Sequence, residues 1–122
     1  TNISRLTGTS STDWSWAPVF ADFDNDGNKD LFITNGVRRE INNTDFFNTY
    51  SKNDTTHLTD LEKSLKIPSE KTDNFMFKNN GNLDFKKANK EWGIEHKGFS
   101  NGVAYADLDN DGDLVIIFQL NL

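Results

Sequence analysis

The 122-residue sequence contains no cysteine, which excludes disulfide frameworks, zinc–thiolate centres and cysteine nucleophiles. It also lacks any apolar run near the ~20 residues that span a bilayer. Thr1-Asn2-Ile3-Ser4-Arg5 has neither the charged n-region nor the apolar h-region of a signal peptide. Positive charge is scarce: 13 Lys and Arg stand against 19 Asp and Glu, for a net charge of −6. A nucleic-acid partner is therefore disfavoured, because a phosphate backbone requires a basic face. Phenylalanine is plentiful, with ten in a chain that is 34% hydrophobic. That suffices for one thin core, since a domain of this size buries only about two thirds of its unfolded surface.

The acids are concentrated in two places. Asp22, Asp24, Asp26 and Asp30 fall within nine residues, and Asp107, Asp109, Asp111 and Asp113 within seven. These eight carboxylates outweigh the whole net charge. Four in one short loop repel one another, and a cation among them relieves the cost. The acidic balance thus points to a bound metal more than to a partner protein.

The two clusters belong to an internal repeat, the feature that most constrains a fold. At an offset of 85 residues, Val19-Phe20-Ala21-Asp22-Phe23-Asp24-Asn25-Asp26-Gly27 matches Val103-Ala104-Tyr105-Ala106-Asp107-Leu108-Asp109-Asn110-Asp111-Gly112, with one residue of slack at its start. In the first copy Leu31-Phe32-Ile33-Thr34 follows, so the pattern reads strand, acidic turn, strand. Residues 38–73 are polar and read as an insertion. Thr59-Asp60-Leu61-Glu62 forms a capping-box pattern, Leu58, Leu61 and Leu65 share a helical face, and Pro68 ends that helix. A second short helix is expected over 44–51, where Phe46, Phe47 and Tyr50 share a face. Phe75 and Phe77 alternate, Asn79-Asn80-Gly81-Asn82 is a turn, and Leu83 and Phe85 alternate again, which predicts a hairpin. With the strands at Val103 and Leu114 that hairpin makes a four-stranded antiparallel unit, the size of one propeller blade. The expected organisation is a first calcium-loop repeat over 1–37, the insertion over 38–73, and a second blade with a second loop over 74–122.

Calcium takes six to eight oxygens at about 2.3–2.6 Å. In Asp22-x-Asp24-x-Asp26-Gly27-x-x-Asp30 alternate carboxylates turn inward, Gly27 allows the sharp turn, and the carbonyl of Asn28 adds an oxygen at the seventh position. An EF-hand shares the first six positions but closes on a bidentate Glu at the twelfth. Ile33 and Phe118 stand there, and the flanks are strand-like. Magnesium keeps its waters and rarely takes an all-protein cage; zinc and copper favour imidazole or sulfur, absent from both loops. The alternative is a metal-free loop in which Asp and Asn cap their own backbone. In the second loop Asp107, Asp109 and Asp111 match, Asp113 takes the seventh position and Val115 the ninth, so the closing carboxylate is missing.

These stretches, Trp14-Ser15-Trp16-Ala17-Pro18-Val19-Phe20-Ala21-Asp22-Phe23-Asp24-Asn25-Asp26-Gly27-Asn28-Lys29-Asp30-Leu31 and Asn101-Gly102-Val103-Ala104-Tyr105-Ala106-Asp107-Leu108-Asp109-Asn110-Asp111-Gly112-Asp113-Leu114, resemble the FG-GAP/VCBS repeat family. Its members include the calcium-binding blades of integrin α-subunit propellers and bacterial ASPIC/UnbV-related proteins. The resemblance covers residues 1–40 and 74–114. It implies a mainly β, partial-propeller fold. It also implies calcium ligation by Asp22, Asp24, Asp26, Asn28 (backbone) and Asp30, and by Asp107, Asp109, Asp111 and Asp113. One departure is that the second loop runs straight into Val115 and an unusually apolar segment through Leu122.

The function expected is a non-catalytic, calcium-binding module, extracellular or at the cell surface, for adhesion, recognition or assembly. A closed propeller needs at least four blades, and this chain supplies about one and a half. The expected partners are therefore other blades of a longer chain or copies of the chain itself, with a protein or glycan ligand. Two alternatives are a self-assembling fibre or sheath subunit and a metal-dependent hydrolase fragment. The latter lacks a candidate base near the first loop in sequence. Trp14, Trp16 and Trp92 are expected to pack rather than form a sugar platform. His57 and His96 are expected at the surface. Asn2-Ile3-Ser4, Asn42-Asn43-Thr44 and Asn53-Asp54-Thr55 match the glycosylation sequon.

Overall fold

The computed structural model describes residues 2–51 and 57–121; the sequon at 53–55 lies outside them. The chain is mainly antiparallel β with two short helices. In order these are β1 (Ser15–Ala21), β2 (Asp30–Asn35), α1 (Thr44–Tyr50), α2 (Asp60–Leu65), β3 (Thr72–Asp73), β4 (Phe75–Asn79), β5 (Phe85–Lys87), β6 (Lys97–Ala106) and β7 (Val115–Asn121). Residues 37–70 form one compact unit, and the flanking segments together form the other.

In the larger unit the described strands make two open sheets, one ordered β1-β2-β4-β5 and one ordered β3-β6-β7. The hairpin β4–β5 thus joins β2 rather than the strands at Val103 and Leu114, a correction to the sequence reading. Its physical cause is side-chain matching along β2: Leu31, Phe32 and Ile33 stand opposite Phe77, Met76 and Phe75. Cross-strand pairs of large apolar side chains stabilise a sheet where they meet. Leu83, expected to alternate with Phe85, instead lies in the turn with φ 64°.

Every residue of β2 is buried, because alternate side chains feed two clusters on opposite faces. Leu31, Ile33 and Phe77 pack with Phe75 and Phe85 on one face. Phe32, Met76 and Ala88 form the other, covered by Trp92, Ile94, Val103, Ile116 and Phe118. The hairpin β6–β7 therefore lies against the sheet, with Phe118 tilted onto Phe32 at 5.4 Å between ring centres.

The repeat is more regular in space than in sequence. In β1–β2 the partners are Pro18–Ile33, Val19–Phe32, Phe20–Leu31 and Ala21–Asp30. In β6–β7 they are Val103–Phe118, Ala104–Ile117, Tyr105–Ile116 and Ala106–Val115. All eight positions correspond at an offset of 85 without slack. Upstream, both hairpins carry a register shift, between Ser15 and Ala17 and between Ser100 and Val103, and the pairs beyond it, Ser15–Asn35 and Ser100–Leu120, also correspond at 85.

Buried polar side chains fasten these strands. Asn74 accepts from the backbone N–H of Asn35 at 2.9 Å and donates to Ser100 Oγ at 3.0 Å. Asn89 accepts from Met76 N–H at 2.9 Å and donates to the carbonyls of Asn74 and Ile94. Such groups persist in a core only when satisfied.

In the smaller unit, Asn43 caps α1, and Phe46 stacks on Tyr50 at 5.2 Å. Thr59 and Glu62 form the capping box of α2. The face of Leu58, Leu61 and Leu65 is not buried as a face: Leu61 and Leu65 are 68% and 56% exposed.

Candidate metal centre

Each acidic loop starts where a strand of the repeat ends, so the hairpin register sets where its carboxylates point. In the first loop Asp22 Oδ1 accepts from Asp26 N–H at 3.1 Å and Asp22 Oδ2 from Gly27 N–H at 2.9 Å. Asp26 Oδ1 accepts from Asn28 N–H at 2.8 Å. The second loop repeats all three bonds. Asp107 Oδ1 and Oδ2 accept from Asp111 N–H at 3.2 Å and Gly112 N–H at 3.0 Å. Asp111 Oδ1 accepts from Asp113 N–H at 2.9 Å.

The backbone repeats as well. Asn25 and Asn110 have φ 58° and 62°, and Gly27 and Gly112 have φ 88° and 95°. Asn tolerates this left-handed region and glycine enters it freely, so the residue types suit the turn.

The outcome is two acidic triads. Asp22, Asp24 and Asp26 each bring one carboxylate oxygen to within 4.8 Å of the others, and Asp107, Asp109 and Asp111 do the same. Either triad can hold a metal ion. The donors are all carboxylate oxygens, which suits a hard cation.

The remaining candidates lie differently. Asp30 is fully buried outside the first triad. Its Oδ2 accepts from Phe23 N–H at 3.1 Å and its Oδ1 from Asn79 N–H at 2.9 Å. Burial raises its pKa, and the two amides oppose that rise. Asn28 turns its backbone and side-chain N–H groups onto Asp26 Oδ1. Asp113 lies outside the second triad, and its Oδ1 accepts from Asn25 Nδ2 of the first loop at 2.7 Å.

One participant has no signal in the sequence. Lys78, on β4, sends its ammonium to Asp24 Oδ2 and to Asp26 Oδ2, the latter at 3.1 Å. Its pKa is raised by the bonds to Asp24 and then Asp26. Asp26 in turn is lowered, first by the Asn28 amide and then by Lys78. The first triad thus holds a cation already, delivered by a strand 54 residues along the chain.

His57 and His96 are exposed, as expected. Trp92 packs on the Phe32 cluster. Trp16 is 50% exposed and donates its Nε1–H to the Gly36 carbonyl at 2.6 Å.

Comparison with protein-family models, with curated proteins and with solved structures yields no match to this chain.

Proposed function

We propose that the chain is a calcium-binding, non-catalytic β-repeat module of the FG-GAP/VCBS type, acting outside the cell in adhesion, recognition or assembly. The observation that carries this reading is the pair of acidic loops. They lie 85 residues apart, share three hydrogen bonds and two positive-φ positions, and each converges three carboxylates. Asp22, Asp24 and Asp26 would hold one ion, with the Asn28 carbonyl and Asp30 completing the set. Asp107, Asp109 and Asp111, with Asp113, would hold the other. The ion supplies charge neutralisation, which lets four carboxylates share one turn and makes stability follow occupancy. Both triads are used up as ligands in this reading, so neither is assigned a reaction.

The propeller arrangement is supported by how the two copies face each other. The Phe32 side of the first copy packs on Ile116 and Phe118. Those two occupy the positions of Leu31 and Ile33, which line the opposite side of the first copy. Copies that pack front to back can continue in the same sense, since a heterologous interface does not close on two units. Further repeats, in a longer chain or from another copy, would use the same surfaces.

A calorimetric melt of the chain in about 1 mM calcium, the range in which extracellular modules bind, and again in excess EDTA tests the metal. The expected result is a fall in Tm of several degrees on chelation. Coincident melts, with no heat in a calcium titration, would remove the reading.

A further inference from the structure

We infer that Lys78 is an internal competitor for the first acidic triad: its ammonium occupies Asp24 and Asp26 until a divalent ion displaces it, so the two loops differ in affinity. The inference rests on the reading of the triads as cation sites and adds to it a residue that sets the strength of one of them.

Three observations carry it. First, the pair is not an incidental neighbour contact. The other ion pairs among the described residues, Lys63–Asp60 and Lys86–Asp84, link residues two or three apart on open surface. Lys78 reaches across from β4 to a loop between β1 and β2. Its ammonium spans two carboxylates of that loop, with the three side chains 26–30% exposed.

Second, the ammonium touches two of the three carboxylates whose oxygens converge. A divalent ion on the same oxygens would meet a positive charge at contact range, so the two cations exclude each other electrostatically. Asp22, whose oxygens accept from the Asp26 and Gly27 amides, makes no ion pair with Lys78 and remains the third carboxylate of the triad.

Third, the second loop is an internal control. Its backbone and capping bonds are the same. No Lys or Arg among the described residues forms an ion pair with Asp107, Asp109 or Asp111.

The test is a CaCl2 titration of the whole chain followed by NMR, at fixed pH and ionic strength. The amides of Gly27 and Gly112 report each loop separately. Wild type is compared with Lys78→Met, which removes the charge, and Lys78→Arg, which keeps it. In Lys78→Met the midpoint at Gly27 should fall about three- to tenfold, while Gly112 stays at its wild-type value. In Lys78→Arg both midpoints should stay near wild type. An unchanged or higher Gly27 midpoint in Lys78→Met, with Gly112 normal, overturns the inference and shows that Lys78 only braces the loop. Lys78→Gln reads the same quantity if Met disturbs the packing. If neither glycine responds to calcium in any of these proteins, the metal reading itself fails, and this inference with it.

Discussion

Asn25 Nδ2 donates to Asp113 Oδ1 at 2.7 Å, joining the two acidic loops across 88 residues of chain. The residues are not equivalent in the repeat: Asn25 corresponds to Asn110, and Asp113 to Asn28. The contact therefore arises from the packing of one hairpin on the other and not from the internal regularity of either loop. Both side chains are exposed, so water competes for the bond. A double-mutant cycle with Asn25→Ala and Asp113→Ala should give a coupling of about 0.5–1 kcal/mol in denaturant unfolding. Strict additivity of the two substitutions would show that the loops are energetically separate.

Asp30 presents the opposite balance. It is buried, and each oxygen accepts from a backbone amide of a different segment, Phe23 in the first loop and Asn79 at the end of β4. Asp30→Ala strands both donors, and a buried donor without a partner costs about 1–3 kcal/mol. The variant should lose at least about 2 kcal/mol by equilibrium unfolding. Its counterpart Val115 is 46% exposed, so Val115→Ala should change stability by less than about 0.5 kcal/mol. Equal effects at the two positions would contradict the asymmetry.

That asymmetry also shows where sequence reasoning reached its limit. The two loops were legible because their signals are local: carboxylates at alternate positions, a glycine at the turn, and a β-rich flank on each side. The capping box at Thr59 and Glu62 was legible for the same reason. The partner of the Phe75 hairpin was not, since several apolar strands in the chain have compatible alternation and only the match with β2 selects one. Lys78 was invisible because it becomes a neighbour of Asp24 and Asp26 through that same pairing. The apolar face of α2 misled, as Leu61 and Leu65 remain exposed despite their spacing. Helical periodicity shows which residues share a face and says nothing about whether anything covers it.

The capping box makes the helix α2 sensitive to acid. Glu62 Oε2 accepts from the Thr59 amide at 2.8 Å and from the Thr59 hydroxyl at 2.7 Å. The amide first, and then the hydroxyl, hold its carboxyl below the ordinary value of 4.5. A folded-state pKa below the unfolded one adds stability above about pH 4.5, and this is lost as pH falls through the lowered value. A carboxyl-detected NMR titration should place Glu62 below the ordinary glutamate value of 4.5. Glu62→Gln should abolish the acid-dependent shift of the Thr59 amide while keeping the helix. A Thr59 amide that titrates unchanged in the Gln variant would assign the effect to another group.

Phe32 and Ile117 occupy the same place in the two copies, yet only Phe32 is covered. Phe32 is fully buried between Met76, Ala88 and the β6–β7 hairpin, whereas Ile117 is 55% exposed. Phe32→Ala removes a ring from a packed site and should cost about 3–5 kcal/mol. Ile117→Ala leaves no cavity and should cost less than about 1 kcal/mol in a dilute sample of the chain. The contrast turns into a test of the repeat reading at high concentration. If another repeat covers the Ile117 face as β6–β7 covers Phe32, wild type should gain stability and sedimentation coefficient with concentration, and Ile117→Asp should abolish both gains. A wild-type protein whose unfolding midpoint and sedimentation are flat across a hundredfold range of concentration would show that copies of this chain do not supply the covering surface.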